Sequence, residues 1–170
     1  MKRFFAPLET NTIEPRATVA PVTVSKLCTL GLEVLVQTGA GAQSDYTDLE
    51  YEKAGAKIVP DATTGYAQAD IVARVSKPTI ADLNHIKPGT LHISFLDPFN
   101  EKELIDNLAK LDISAISLEM IPRSTLAQKM DALSSQANLA GYAAVTMATD
   151  RMTKIMPMMM TPSGDRKSVV

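Results

Sequence analysis

Short apolar runs and segments with helical signals follow one another along the chain. Six runs rich in apolar and β-branched residues predict buried strands, at residues 2–6, 33–37, 57–59, 70–75, 90–96 and 113–118. Helical patterns or helix-capping signals lie between them, at residues 22–30, 47–55, 63–68, 79–86 and 100–111. Strands that alternate with helices imply parallel pairing, with helices on both faces of the sheet. We therefore predict an α/β fold with a Rossmann-like (flavodoxin-like) sheet.

Three local signals support these helix boundaries. Pro21 suits the first turn of the first helix, and Gly31 suits its end. Thr47 and Glu50 have the spacing of a capping box, which predicts that a helix starts there and ends near Gly55.

A long C-terminal helix is predicted beyond Ala127. At about 100° per residue, its apolar side chains share one arc: Met130, Leu133, Ala137, Ala140, Ala144 and Ala148. Its polar side chains share another: Gln128, Asp131, Ser134, Ser135, Asn138 and Tyr142. These are amides, hydroxyls and one carboxylate, where a solvated face would carry Lys and Glu. Such a face suits either a neutral polar ligand or packing against another part of a larger protein, and spacing alone does not distinguish the two.

Composition excludes several classes of protein. The 170 residues fit one domain with a buried core. A net charge of −2 offers no basic patch for nucleic acid. Cys28 is the only cysteine, which excludes a disulfide framework and fits a reducing compartment. The N-terminal apolar run stops at Pro7, too early for a signal peptide. No run reaches the roughly 18 apolar residues of a membrane span.

Common catalytic motifs are absent or incomplete. The turn Gly39-Ala40-Gly41 follows a strand, but Ser44 stands where a dinucleotide fingerprint needs its third glycine. We therefore predict a tight turn there, with no phosphate site. The two histidines, His85 and His92, show no metal-ligand spacing with Cys28 or with clustered acids.

Arg16, in the loop after the first strand, could anchor a carboxylate or phosphate through its planar guanidinium. The alternative is a salt bridge with Glu14, which we favour.

The start of the long helix carries a family resemblance. Pro122-Arg123-x4-Gln128-x2-Asp131-x2-Ser134-Ser135-x2-Asn138-x-Ala140-Gly141-Tyr142 resembles the nicotinamide-contacting loop and helix of the NAD(H)-binding domain in proton-translocating nicotinamide nucleotide transhydrogenases. The resemblance covers essentially the whole chain, as far as the Pro157 to Thr161 segment. One departure is Leu126, where many relatives carry a second arginine.

The resemblance implies a site without a catalytic acid or base and without a metal. Arg123 and Asp131 would bond the nicotinamide carboxamide of NAD(H), with Ser134 supporting it. Gln128 would reach ribose hydroxyls near the junction with the second nucleotide. Hydride transfer between two nicotinamides needs no protein acid or base, because the cofactors supply the chemistry.

The related alanine dehydrogenases offer an alternative. In them the arginine that matches Arg16 holds the substrate carboxylate, together with a lysine and a histidine. Ser76 and Asp97 occupy those two positions here, which argues against amino-acid chemistry. Lys77 is one residue away, and in an extended chain it is expected to face the opposite side. A third possibility is a non-catalytic nucleotide-binding or interaction module.

The resemblance also implies the context of the chain. Residues 1–126 would form the alanine dehydrogenase/transhydrogenase N-terminal domain, 127–150 an inter-domain helix, and 151–170 a connector into a missing NAD-binding domain. The chain is thus expected to be a fragment with little activity of its own. The parent component would be a homodimer, peripheral on the cytoplasmic face of the inner membrane, with no membrane span of its own. It would work with a membrane component and with a partner domain that binds NADP(H).

Overall fold

The structure, a computed structural model, describes residues 1–11 and 13–154. The predicted connector therefore lies almost entirely outside the described residues. The chain divides into two compact units, the first spanning Met1–Met130 and the second beginning at Asp131.

The first unit is built on a parallel sheet of six strands. They are β1 (Arg3–Ala6), β2 (Glu33–Gln37), β3 (Lys57–Val59), β4 (Ile71–Ala73), β5 (Leu91–Ser94) and β6 (Ser114–Ser117). Their order across the sheet is β3-β2-β1-β4-β5-β6, and every neighbouring pair is parallel. All six predicted strands are confirmed, with shorter bounds for most. The order is that of the doubly wound Rossmann sheet, so the likeness to flavodoxin does not extend to strand order.

Helices connect the strands, and the last helix of the described residues belongs to the second unit. They are α1 (Pro21–Thr29), α2 (Asp48–Lys53), α3 (Ala62–Gln68), α4 (Ile80–Leu83), α5 (Lys102–Lys110) and α6 (Ala132–Arg151). Short 3₁₀ turns occur at Ala42–Ser44, Leu118–Met120 and Gln128–Met130. Helix α4 is shorter than predicted and ends at Leu83 instead of near Ile86. Helix α6 starts at Ala132, a few residues later than the periodicity indicated.

The predicted capping signals are present. Pro21 lies in the first turn of α1, and Gly31 follows its end with φ of 84°, a conformation that glycine adopts without strain. Thr47 and Glu50 form a complete capping box at α2.

Two apolar cores lie on opposite faces of the sheet. One face packs Phe5 and Val72 against side chains of α3, α4 and α5. The other packs Phe4 and Val34 against α1 and α2. The predicted helix layers on both faces are therefore confirmed.

Side chains along α6 are mostly exposed, including those of Leu139, Tyr142 and Val145. Among the described residues, no helix is both long and apolar enough to cross a membrane.

Gly65 lets α3 approach the sheet closely. A Cβ built on Gly65 would lie 2.1 Å from Cζ of Phe5, whose side chain is fully buried and T-stacked on Tyr66. We expect Gly65→Ala to lower the free energy of unfolding by about 1–3 kcal/mol through overpacking, measured by denaturant titration. Gly141→Ala in α6 is the matched control, because its Cβ would meet no atom within 4 Å. A stability of Gly65→Ala equal to that of wild type would contradict the tight contact.

His92 makes stability depend on pH. It is fully buried in β5, where Nε2 lies 3.1 Å from Oγ of Ser94, and burial lowers its pKa to about 4 from 6.5. Between these values the unfolded chain binds a proton that the folded chain does not. Stability should therefore fall as pH drops from about 6.5 towards 4, on the order of 1 kcal/mol per pH unit. Chemical denaturation across this range should show a shallower fall in His92→Gln, whereas His85→Gln, at an exposed position, should keep the wild-type slope.

Candidate functional site

A cleft of about 700 Å³ opens at the carboxyl ends of the strands in the first unit. It extends from the loop after β1 and the turn after β4 to the ends of β5 and β6. β1 and β4 are neighbours in the sheet, and the strand order reverses between them. Ligands of open parallel sheets bind at this switch point, because the two connections there leave in opposite directions. The cleft is therefore the first place to examine for a binding site.

A buried arginine forms the floor of the cleft. Arg74 follows β4 and is only 2% exposed. It donates to Oδ2 of Asp82 at 2.7 Å and to the Tyr66 hydroxyl at 3.1 Å, and it lies 3.6 Å from Oε2 of Glu9. Glu9 in turn accepts the backbone N–H of Val75 at 2.6 Å. The charge of Arg74 is thus matched by two carboxylates.

Lys77 lines the same cleft as Ser76, so the prediction that it faces the opposite side is wrong. The prediction assumed an extended chain, but β4 ends at Ala73 and the backbone bends at residues 75–76. The ammonium of Lys77 donates to Oε1 of Glu101 at 2.5 Å, and this hydrogen bond raises the pKa of Lys77.

Glu119 and Asp97 join the ends of β5 and β6. Glu119 accepts the backbone N–H groups of Leu96 and Asp97 and the hydroxyl of Ser117. Burial raises the pKa of Glu119, but these hydrogen bonds outweigh it and leave the pKa below its ordinary value. Asp97 has a φ of 52° and accepts a hydrogen bond from Asn100 at 2.8 Å. Both carboxylates therefore have structural roles.

Arg16 pairs with Glu14, as the favoured interpretation predicts. Its Nε and one terminal nitrogen each lie 2.6 Å from an oxygen of that carboxylate. The pair lies in the loop between β1 and α1. The role of Arg16 as an anion anchor stays a prediction.

The glycine turn after β2 has an anion of its own. Asp48 accepts the N–H of Gly39 at 2.9 Å and the hydroxyl of Thr38 at 2.5 Å. A carboxylate therefore takes the amide that a phosphate would use, as a tight structural turn requires.

Asp131 and Ser134, two of the residues implied by the resemblance, lie together at the start of α6. Oδ1 of Asp131 accepts the backbone N–H of Ser134 at 2.9 Å, and Oδ2 accepts its hydroxyl at 2.6 Å. Asp131 is thus the N-cap of the helix, and both of its carboxylate oxygens are held in place. Arg123 and Gln128 belong to the first unit, where both are exposed.

Sequence reasoning missed the charged residues that organise the cleft, namely Glu9, Arg74, Glu101 and Glu119. Arg74 carried a usable signal, since a charged residue in an apolar strand needs a buried partner. Within residues 1–11 and 13–154, no group of three or more His, Cys, Asp or Glu side chains is placed to hold a metal ion.

Comparison with known proteins places this arrangement in context. The family model described as "Alanine dehydrogenase/PNT, N-terminal domain" matches residues 5–140. A portion of NAD(P) transhydrogenase subunit alpha from Rhodospirillum rubrum is 38% identical over 163 residues, which cover 93% of this chain and 42% of the relative. Alanine dehydrogenase of Mycobacterium tuberculosis is 32% identical over 115 residues, covering 68% of this chain and 31% of that protein.

A solved transhydrogenase from Sinorhizobium meliloti has a similar fold. It matches with a TM-score of 0.87 at 38% identity, over 96% of this chain and 48% of that chain. The chain therefore spans less than half the length of these relatives.

The two cations of the cleft should contribute very differently to stability. Arg74→Met leaves Glu9 and Asp82 as buried charges without their cation, which should cost about 3–5 kcal/mol. Lys77→Met removes a pair whose partners are 43% and 38% exposed, and it should cost under about 1 kcal/mol. Denaturant titration of both variants measures the difference. Equal losses would contradict the central role of Arg74.

Proposed function

The chain belongs to the alanine dehydrogenase/PNT N-terminal domain family, and from this premise we propose that it is part of the NAD(H)-binding component of a proton-translocating NAD(P) transhydrogenase. The parent enzyme passes hydride between NAD(H) and NADP(H) and couples the transfer to proton movement through a membrane component. This chain contributes to the nicotinamide end of the NAD(H) site.

The similarity to transhydrogenases is both closer and wider than the similarity to alanine dehydrogenases. Identity is 38% over 93% of the chain in the first case and 32% over 68% in the second. Ser76 and Asp97, which replace the lysine and histidine of the amino-acid enzymes, both line the cleft. Neither a hydroxyl nor a carboxylate supplies the cationic group that would anchor a carboxylate substrate.

The observation that carries the proposal is the fixed carboxylate at the start of α6. The two hydrogen bonds from Ser134 hold Asp131 in one orientation. A carboxylate held in this way suits the amino group of a carboxamide, while the guanidinium of Arg123 suits the carboxamide oxygen. Gln128, an exposed amide, suits ribose hydroxyls. These groups bind and orient, and the nicotinamide supplies the hydride chemistry when bound.

The assembly follows from the same premise. The NAD(H) component is a homodimer, peripheral on the cytoplasmic face of the inner membrane, and its partners are the NADP(H)-binding domain and the membrane component. Residues 1–126 act as the N-terminal α/β domain and 127–150 as the helix that links it to a second NAD-binding domain.

Substitutions in the intact transhydrogenase test the site. Asp131→Asn and Gln128→Ala should each slow hydride transfer at least about tenfold, because a hydrogen bond to a charged or well-placed group contributes about 1.5–3 kcal/mol. The rate is measured with a chromophoric NAD(H) analogue in single turnover. Ser134→Ala should slow transfer by releasing Asp131.

Asp150→Asn is the matched control, because it makes the same chemical change near the other end of α6. It should leave the rate unchanged. Wild-type rates for both Asp131→Asn and Gln128→Ala would contradict the assigned site.

A further inference from the structure

The cleft at the carboxyl ends of β4, β5 and β6 combines features that attract a small anion. Lys77 places its ammonium there, and α5, a helix of nine residues, begins at its rim. The side chain of Glu101, the N-cap residue, makes no capping hydrogen bond to this helix. Helix N-termini with uncapped N–H groups favour negative charge.

Arg74 adds a second and independent feature. It lines the same cleft and its side chain is only 1% exposed. Its Nε–H has no hydrogen-bond partner among the residues that the structure describes. A buried guanidinium N–H without an acceptor is costly, so an acceptor nearby would be stabilised.

The anion that the cleft contains is supplied by the chain itself. The carboxylate of Glu101 lies 2.5 Å from Nζ of Lys77, at the start of α5. The partners of this pair are 43% and 38% exposed, so a solute can reach both. The other cation, Arg74, is already matched by Glu9 and Asp82.

We propose that this cleft is an anion site filled by its own side chain, and that Glu101 determines its specificity by occupying the place of a small monocarboxylate beside Lys77. The ligand class that Glu101 excludes comprises short carboxylic acids whose head group is the size of its own. The proposal concerns a site separate from the residues assigned to NAD(H), and it does not depend on the proposed function.

The neighbouring carboxylates do not turn the cleft into a cation site. Glu119 already accepts two backbone N–H groups and the Ser117 hydroxyl, and Asp97 accepts a hydrogen bond from Asn100. These oxygens stabilise the backbone at the ends of β5 and β6. Lys77 is thus the cleft-lining cation that removal of one side chain would release.

Truncation of Glu101 tests this inference by chemical rescue. Glu101→Ala in the intact protein removes the carboxylate and leaves space of matching size, and no capping hydrogen bond is lost with it. Propanoate is titrated into wild type and variant and binding is measured by calorimetry. We expect propanoate to bind Glu101→Ala at least about tenfold more tightly than wild type, as a charge-assisted hydrogen bond to Lys77 implies.

Two control variants separate the inference from a general charge effect. Glu103→Ala removes a second carboxylate from the same cleft and the same turn of α5, and it should not gain binding. Glu101→Ala combined with Lys77→Met should lose the gain. The inference is overturned if Glu101→Ala binds propanoate no better than wild type, if Glu103→Ala gains as much, or if the double variant keeps the gain.

Discussion

The buried charge of Arg74 is the constraint on which the carboxyl edge of the sheet depends. A guanidinium that is 2% exposed can be stable only if opposite charges and hydrogen bonds replace its lost hydration. Glu9 comes from the loop after β1 and Asp82 from α4, so the cation joins the two connections that leave the sheet in opposite directions. If either partner moved away, a desolvated charge would be left behind. The loop after β1 and the turn after β4 are therefore held together at the switch point.

The sequence predicts the layered fold well because the fold rests on local signals. Apolar runs mark all six strands, and Thr47 with Glu50 marks the start of α2 as a cap that forms within four residues. Long-range pairings carry no comparable signal. Glu9 and Arg74 are 65 positions apart, and only the register of β1 beside β4 brings them together. Lys77 shows the same limit, because its direction depends on where β4 ends.

The start of α6 shows why a local motif alone leaves two explanations open. An aspartate three residues before a serine is a sufficient reason for a helix N-cap, and the hydrogen bonds between Asp131 and Ser134 satisfy it. The same bonds also fix the orientation of a carboxylate. Capping alone would affect only the stability of the helix, whereas a cofactor role would affect transfer rates in a folded protein. Stability and rate are separate measurements, so the two explanations can be told apart although they use the same atoms.

A division of chemistry between the cleft and the residues around the start of α6 follows from how each satisfies its polar groups. In the cleft, Lys77 is bound to Glu101 and Arg74 to Glu9 and Asp82, so the charges neutralise one another. A protein that only positions two cofactors for hydride transfer needs no free acid or base. It does benefit from excluding unrelated small acids, and a cation that is already paired does this without a lid. The amide and guanidinium that precede α6 are instead exposed to solvent, as groups that must exchange a ligand on every turnover should be.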